Sequence, residues 1–160
     1  MSIRKTRTRK RTIKRTRRKN RIKKGGTADN SFVIRKGNKI VKTYKKSGNE
    51  NFKRELIIYL LAKQENLDFI PKLLNFDIKK RMIVTEYVGP TLNQIYKGRV
   101  AEKRKLIPRI KKLYKKLLKS GYHHNDIRFY NVCMRNDKMY LIDFEFSDIK
   151  YSDKNDNKIL

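Results

Sequence analysis

The chain has 160 residues and carries 44 Lys and Arg against 15 Asp and Glu, a formal net charge of +29. This length allows one domain, or one small domain with tails. The longest apolar run, at residues 56–62, is far shorter than the roughly 20 residues that a membrane-spanning helix needs. The one cysteine excludes an internal disulfide and suits a reducing, intracellular compartment. We therefore expect a small protein without a membrane partner.

Residues 1–24 are a separate basic segment. They hold 14 of the Lys and Arg residues, no acid and four apolar side chains. Such a segment cannot bury a core, so we expect a disordered tail. Its basic residues alternate with Thr and not with aromatic residues, which favours contact with nucleic-acid phosphates without reading of the bases. The alternative is that the tail only directs the protein to the nucleus or nucleolus.

The next part of the chain, residues 25–88, predicts two hairpins around a helix. Strands at Phe32–Arg35 and Lys39–Tyr44 flank a Lys36-Gly37-Asn38 turn, and a second pair is expected at 73–78 and 82–88. Between them, a helix of about 15 residues begins after Ser47-Gly48, because apolar residues follow helical spacing there. Gly89-Pro90 then indicates a linker.

Residues 89–150 predict mainly helix. We expect a short helix at 91–96 and a long one at 102–120, with an apolar face and a Lys and Arg face that binds nucleic acid or is simply solvated. Pro108 either begins or kinks this helix, and Gly121 ends it. Two short strands follow, near 132–134 and 139–142. Residues 151–160 form a polar tail, and the whole predicts a mixed α+β fold.

Polar residues near the end of the chain have a recognisable spacing. His124, Asp126 and Asn131 form H-x-D-x-x-x-x-N, and Asp143 follows at the end of a strand reading Leu-Ile-Asp-Phe. From these residues alone, the acids could be ordinary polar positions at a strand end, and the histidine a packing or hydrogen-bonding residue. The motif resembles the catalytic loop and the metal-binding aspartate of the protein-kinase-like superfamily.

Further parts of that superfamily's pattern occur upstream in the expected order. Ile40-Val41-Lys42 resembles its third strand, the helix start at 52–56 contains Glu55, and Val84–Val88 resembles its hinge. The resemblance covers roughly residues 30–148. It implies a truncated two-lobed kinase-like fold, with a small antiparallel-sheet N-lobe at 25–88 and a reduced helical C-lobe at 89–150.

The resemblance also implies a function, a phosphotransferase that uses ATP and Mg²⁺, with serine/threonine protein kinase activity. Phosphoryl transfer needs positioning and charge stabilisation, which these residue types provide. The implied catalytic residues are Asp126, as the group that accepts the hydroxyl proton, and Arg128, near the terminal phosphate. The implied metal ligands are Asn131 and Asp143. The implied nucleotide contacts are Lys42 with its partner Glu55, the apolar Ile40 and Cys133, and the backbone at Glu86 and Val88.

Several departures keep other functions open. No G-x-G-x-x-G is present, and residues 25–31 are the nearest equivalent; Asn125 replaces the usual Arg, and Glu145 replaces the usual Gly. Only 17 residues follow Asp143, so we expect no activation segment, and the phosphate acceptor stays open between a protein and a small molecule. The motifs are also similar to those of choline and aminoglycoside phosphotransferases. The alternatives are a pseudokinase scaffold and a basic protein that packages nucleic acid.

Two further expectations concern source and partners. The small size, the Lys-, Asn- and Ile-rich composition and the basic tail are similar to kinase-like proteins of large DNA viruses, for which the virion interior would be a location. A reduced C-lobe would leave apolar surface exposed, which predicts a homodimer or a partner protein.

Overall fold

A computed structural model describes residues 30–149 of the chain. The predicted tails at 1–24 and 151–160, and most of the glycine-containing segment at 25–31, lie outside this part. The fold is the expected mixed α+β arrangement, in which a small antiparallel sheet and one long helix precede a largely helical part. No helix within 30–149 is long and apolar enough to cross a membrane.

The first part contains a four-stranded sheet. Its strands are β1 (Ser31–Lys36), β2 (Lys39–Tyr44), β3 (Leu73–Asp77) and β4 (Met82–Glu86), in the spatial order β1-β2-β4-β3. Both predicted hairpins are therefore confirmed. Gly37 has φ +60° in the first turn, a conformation that glycine adopts without strain. β4 ends at Glu86, two residues earlier than expected.

The register of the sheet places one charged side chain among apolar ones. Val33 of β1, Lys42 of β2 and Ile83 of β4 lie directly opposite one another, and all three line the cleft that lies under the sheet. Since side chains alternate between the two faces of a strand, this register fixes Lys42 on the cleft face.

The long helix of this part is α1 (Asn49–Gln64), as predicted. It buries Phe52, Leu56 and Tyr59, which recur at helical spacing and form one face. Glu55 lies on the same face and is only 2% exposed. A carboxylate in such surroundings requires a compensating cation or hydrogen-bond donors, and β2 supplies the cation.

The helix expected at 102–120 is two helices, so this prediction was wrong in detail. α2 (Leu92–Ile95), which was predicted, is followed by α3 (Val100–Lys105) and α4 (Ile107–Lys119). The break at Leu106 has its cause in Pro108, which lacks a backbone N–H and whose ring clashes with the carbonyl four residues earlier. Pro108 therefore lies in the first turn of α4, and Gly121, at φ +82°, follows the end of the helix.

Four short strands complete the described chain. β6 (Val132–Arg135) and β7 (Lys138–Leu141) form the predicted pair, whereas β5 (Tyr122–His123) and β8 (Asp148–Ile149) form a pair that was not predicted. Two-residue strands carry no alternation pattern, so the sequence gives no signal for them. The β5–β8 pair brings the end of the described chain back beside β5, and β5 packs against α4. The apolar core joins both parts through Tyr59, Leu117, Leu141 and Phe144.

Candidate active site

A cleft of about 250 Å³ lies between the sheet and the second part of the chain. Val33, Ile40 and Ile83 line it from the sheet, and Cys133 and Ile142 line it from the β6–β7 region. Ile40 and Cys133 are the two side chains that the resemblance assigned to apolar contacts with the nucleotide. The structure thus brings both to one apolar cleft, from elements more than 90 positions apart in the sequence.

The segment that connects the two parts also borders the cleft, through Glu86 and Val88. It is fixed at both ends. The Glu86 backbone N–H donates to the Lys72 carbonyl at 3.0 Å, and the Glu86 side chain accepts from the Lys72 N–H at 2.9 Å. Gly89 has φ +100°, and a Cβ there would lie 2.2 Å from the Met134 carbonyl oxygen. Only glycine fits this close approach, so the connecting segment is held firmly against β6.

The ammonium of Lys42 contacts three carboxylates. Its Nζ lies 2.6 Å from Glu55 Oε2, 2.7 Å from Asp143 Oδ1 and 2.6 Å from Glu145 Oε1. Lys42 and Asp143 are 101 positions apart, and the fold brings them together at the inner end of the cleft. The two residues singled out as the phosphate-binding lysine and its partner are thus a buried ion pair, and the predicted metal ligand joins them.

Burial and charge act in opposite directions on this cluster. Burial alone would lower the pKa of Lys42, but Glu55, Asp143 and Glu145 together outweigh burial and raise it above its ordinary value. Burial raises the pKa of Glu55, and the nearby Lys42 opposes the rise. The Tyr44 hydroxyl also donates to Glu55, and burial and this carboxylate raise the Tyr44 pKa. Lys42 is therefore a permanent cation near neutral pH.

Glu145 is the member of the cluster that the sequence did not reveal. In the sequence, Glu145 is notable only because it stands where the kinase-like pattern has a glycine. Its Oε1 contacts Lys42, and its Oε2 accepts a hydrogen bond from Asn51 Nδ2 at 3.2 Å, at the start of α1. Glu145 thereby ties the loop after β7 to the helix that carries Glu55. No strand alternation could have revealed it, because Asp143 has a left-handed backbone conformation and Glu145 lies in the turn that follows.

The predicted catalytic loop forms a second polar cluster. Asn131 Nδ2 donates to the Asp126 carbonyl at 2.9 Å and to Asp126 Oδ2 at 2.8 Å. Arg128 contacts both oxygens of the same carboxylate, Nε to Oδ1 and Nη2 to Oδ2, at 2.6 Å each. This hydrogen bond raises the pKa of the Arg128 guanidinium. Asp126 and Asn131 are brought together as the motif implies, whereas Arg128 is engaged with Asp126.

His124 fastens this loop to the segment that carries Asp143. The ring is fully buried, its Nε2 lies 3.0 Å from the Ile142 carbonyl oxygen, and it packs 4.8 Å from the Phe144 ring centre. Nε2 must therefore carry the proton. Burial lowers the His124 pKa, so the neutral ring is favoured. The backbone N–H of Ile142 also donates to the Asn131 carbonyl at 3.0 Å. The histidine is a packing and hydrogen-bonding residue, one of the two interpretations left open by the sequence.

Asp143 itself has a backbone conformation that is unusual for a residue with a side chain. Its φ is +73°, in the left-handed region. Such conformations cost of order 1–3 kcal/mol and persist where the surrounding structure enforces them. Here the surrounding structure holds the Asp143 side chain through the Lys42 ion pair, and it buries the next residue, Phe144, completely. The turn directs the Asp143 carboxylate into the cleft.

The donor set fits a divalent cation that prefers oxygen ligands. Asn131 donates hydrogen bonds to Asp126 through Nδ2, so the side-chain oxygen of Asn131, Oδ1, is the atom that could bind a metal ion. Carboxylate oxygens of Glu55, Asp143 and Glu145 lie within 4.8 Å of one another. Three carboxylates surround the single ammonium of Lys42, and a divalent cation would offset the excess of acidic groups. Asn131 and Asp143 are therefore chemically suited to the metal-binding role assigned from the sequence.

Comparison with known proteins gives a family and a fold. The family model described as the RIO domain matches residues 3–157. No curated protein sequence matches the chain.

Similar solved structures are kinases. The first, WbdD bound to a kinase inhibitor, has a TM-score of 0.57 and 16% identity, over 81% of this chain and 33% of that one. The kinase PK-1 of Cydia pomonella granulovirus has a TM-score of 0.56 and 23% identity, over 74% of this chain and 48% of that one. A second structure of WbdD, described as a bifunctional kinase-methyltransferase, has a TM-score of 0.55 and 17% identity, over 76% of this chain and 30% of that one. This chain thus spans less than half the length of these structural relatives, and the likeness concerns the fold.

Proposed function

The chain belongs to the RIO domain family of kinase-like proteins, and from this premise we propose that it is a minimal ATP- and Mg²⁺-dependent phosphotransferase. The acceptor that we propose is a serine or threonine hydroxyl of a protein. The observation that carries the proposal is the ion pairing of Lys42 with both Glu55 and Asp143 at the inner end of an apolar cleft. Charge, depth and apolar walls are what a nucleotide with a polyphosphate needs.

In this proposal, different residues of the cleft contact different parts of the nucleotide. Ile40 and Cys133 hold the apolar face of the base, and the backbone at Glu86 and Val88 pairs with its polar edge. Lys42 binds phosphate oxygens, and Glu55 fixes its flexible side chain. Asn131 and Asp143 would hold Mg²⁺, which when bound supplies charge neutralisation at the phosphates.

Asp126 would accept the proton of the acceptor hydroxyl as that oxygen bonds to phosphorus and the bond to the leaving diphosphate breaks. Its carboxylate is held by Asn131 at 2.8 Å, which fixes its orientation. Arg128 occupies both oxygens in the present arrangement. The Asp126–Arg128 pair must therefore open before proton transfer.

A second candidate function is a pseudokinase that binds nucleotide or a partner without transfer. Its support is that the two key carboxylates, Asp126 and Asp143, are each engaged by a cation of the chain itself. Within residues 30–149, the turn between β1 and β2 is only Gly37-Asn38, too short to cover phosphates. Retention of five polar positions of the pattern supports the enzyme over this alternative; these are Lys42, Glu55, Asp126, Asn131 and Asp143.

The basic tail has a proposed role of its own. We propose that residues 1–24 contact nucleic-acid phosphates, which would place the protein in the nucleus, the nucleolus or, for a viral protein, the virion interior. The support is the 14 basic residues without a single acid. Deletion of residues 1–24 is expected to weaken binding to a mixed-sequence oligonucleotide and to make its salt dependence clearly less steep. Equal binding by the shortened chain would refute this role.

Transfer of labelled phosphate tests the enzymatic proposal. The full-length protein is incubated with labelled ATP, Mg²⁺ and a mixture of Ser- and Thr-containing proteins. We expect incorporation that falls by at least 10²-fold in Asp126→Asn, the magnitude of one general base. Asp137→Asn is the matched control, because Asp137 is an exposed acid on the β6–β7 turn. Nucleotide binding without incorporation would favour the pseudokinase.

A further inference from the structure

A second depression, of about 600 Å³, lies beside the candidate catalytic loop. We call it the acceptor groove. Its floor is apolar and consists of Ile107 and Ile110 from α4 and Ile127, Phe129 and Tyr130 from the loop. Ile107 is 39% exposed and Tyr130 is 55% exposed, so much of this apolar surface is in contact with water. An exposed apolar surface that continues from a reactive loop is typical of an interaction site.

The rim of the acceptor groove is basic. Lys103, Lys111 and Arg128 line it, and no Asp or Glu of the described chain is among its lining residues. Lys103 is held in place, since its Nζ donates to Asn93 Oδ1 at 2.8 Å and lies 5.9 Å from the Phe129 ring centre. The apolar floor and the cationic rim together fit an acidic segment that carries apolar side chains.

We propose that the acceptor groove binds an acidic peptide segment with apolar anchors, and that this segment belongs to the protein that accepts the phosphate. The second half of this proposal rests on the proposed phosphotransferase function. Position supports it, because Arg128 lines the groove and its guanidinium contacts the Asp126 carboxylate at 2.6 Å. A segment seated in the groove therefore has its own hydroxyl groups beside the candidate base.

Charge argues against other occupants. A second copy of the chain would bring a net charge of +29 against the same charge. The basic segment at 1–24 would be repelled by the same rim. Nucleic acid would satisfy the rim, but its sugar-phosphate backbone would leave the isoleucines of the floor in contact with water. An acidic peptide with apolar side chains satisfies the rim and the floor together.

The segment would also act on the Asp126–Arg128 pair. An acidic side chain at that end of the groove competes with Asp126 for the exposed guanidinium of Arg128, which is forked and always charged. When Arg128 turns to the peptide, the Asp126 carboxylate keeps its hydrogen bond from Asn131 and becomes available to the hydroxyl. Binding of the acceptor would thus release the candidate base.

Fluorescence anisotropy tests the groove without requiring catalysis. The probe is a short labelled peptide of Glu and Leu with a single Ser, titrated with the full-length protein at physiological salt. We expect binding that weakens about tenfold in Lys111→Glu, whereas Lys112→Glu, the neighbouring exposed lysine outside the groove, stays close to wild type. Equal losses in the two variants would mean general electrostatic attraction and would overturn the proposal.

The apolar floor requires a separate pair of variants. Ile107→Ser should weaken binding of the Leu-containing peptide and leave a peptide with Ala in place of Leu unchanged, and Val100→Ser is the exposed control on α3. An oligonucleotide is the second probe. If Lys111→Glu and Ile107→Ser weaken its binding as much as they weaken binding of the peptide, the occupant is nucleic acid and the proposal is refuted. If the peptide binds but no phosphate is transferred, the groove is a peptide site and the proposed phosphotransferase function is refuted. If phosphate is transferred to other proteins but the peptide does not bind, the phosphotransferase function stands and the proposed peptide site is refuted.

Discussion

The Lys42 cluster and the Asp126–Arg128 pair are the two charged centres of the candidate site, and they differ in burial. Lys42 is 8% exposed and contacts three carboxylates that come from α1 and from the loop after β7. Arg128 lies at the surface, with 64% of its side chain exposed, and contacts a single carboxylate. Buried charges depend on each other for compensation, whereas exposed ones are compensated by water.

This difference predicts where the fold and the function are linked. Around Lys42, any change should alter stability as well as nucleotide binding. Around Arg128, changes should alter function while the fold remains intact. The Lys42 cluster thus contributes both to stability and to nucleotide binding, whereas the Asp126–Arg128 ion pair can break and re-form without unfolding of the chain.

The largest expected effect is that of Lys42→Met. The substitution leaves three carboxylates close together in a buried place, so we expect a loss of about 3–5 kcal/mol in the free energy of unfolding. Lys138→Met is the matched control, because its ion pair with Asp68 is exposed and contributes about 0–1 kcal/mol. Urea denaturation of both variants measures the contrast. Similar losses in the two variants would show that the cluster is not the interdependent unit described above.

A second contrast concerns backbone crowding and not charge. In Gly89→Ala, the new Cβ would meet the Met134 carbonyl oxygen and force the connecting segment away from β6. In Gly37→Ala, nothing lies within 4 Å, and only the left-handed conformation costs free energy, about 1 kcal/mol. We expect Gly89→Ala to lower the midpoint of thermal unfolding clearly more than Gly37→Ala. The opposite order would contradict the close approach at the cleft border.

His124 predicts a pH dependence. Its pKa is lowered in the folded protein relative to its ordinary value of 6.5, so the unfolded chain binds the proton more readily. Stability from this group is complete above pH 6.5 and is lost as pH falls below it, with a slope of at most about 1.4 kcal/mol per pH unit. Subtracting the pH profile of His124→Asn from that of wild type isolates the effect. A slope that survives in His124→Asn would refute the assignment.

The smallest effect on stability is expected for Arg128→Ala. Because the guanidinium is exposed, thermal unfolding should be indistinguishable from wild type, as for Arg109→Ala, which breaks the exposed pair with Asp137. Only Arg128→Ala should change the Michaelis constant for an acidic acceptor. A marked loss of stability in Arg128→Ala would remove the distinction between the two centres.

The sequence predicted those parts that follow from period and spacing. The two hairpins, α1, the β6–β7 pair and the H-x-D-x-x-x-x-N motif with Asp143 were all readable, because each is a local pattern. The pairing of Lys42 with Glu55 was expected from the order of motifs, whereas the contact of Lys42 with Asp143 is seen only in the fold. These are the features that local sequence encodes.

Other features could not be read because they depend on tertiary contacts. The β5–β8 pair has two residues in each strand, too few for a pattern. Glu145 becomes a partner of Lys42 only because the turn at Asp143 and the start of α1 meet. The engagement of Arg128 by Asp126 depends on the conformation of the loop. The acceptor groove, for its part, combines α3, α4 and the loop, which no single segment reveals.

The most direct test of the central claim is thermal unfolding of the full-length protein with and without Mg²⁺–ATP, in wild type and in Asp143→Asn. Ligand at 100 times its dissociation constant adds about 2.7 kcal/mol, which corresponds to a shift of about 10 °C for a domain of this size. The account predicts a shift that requires Mg²⁺ and is lost in Asp143→Asn. The absence of a shift at millimolar ATP, or an equal shift in Asp143→Asn, would show that the Lys42 cluster is not a nucleotide and metal site.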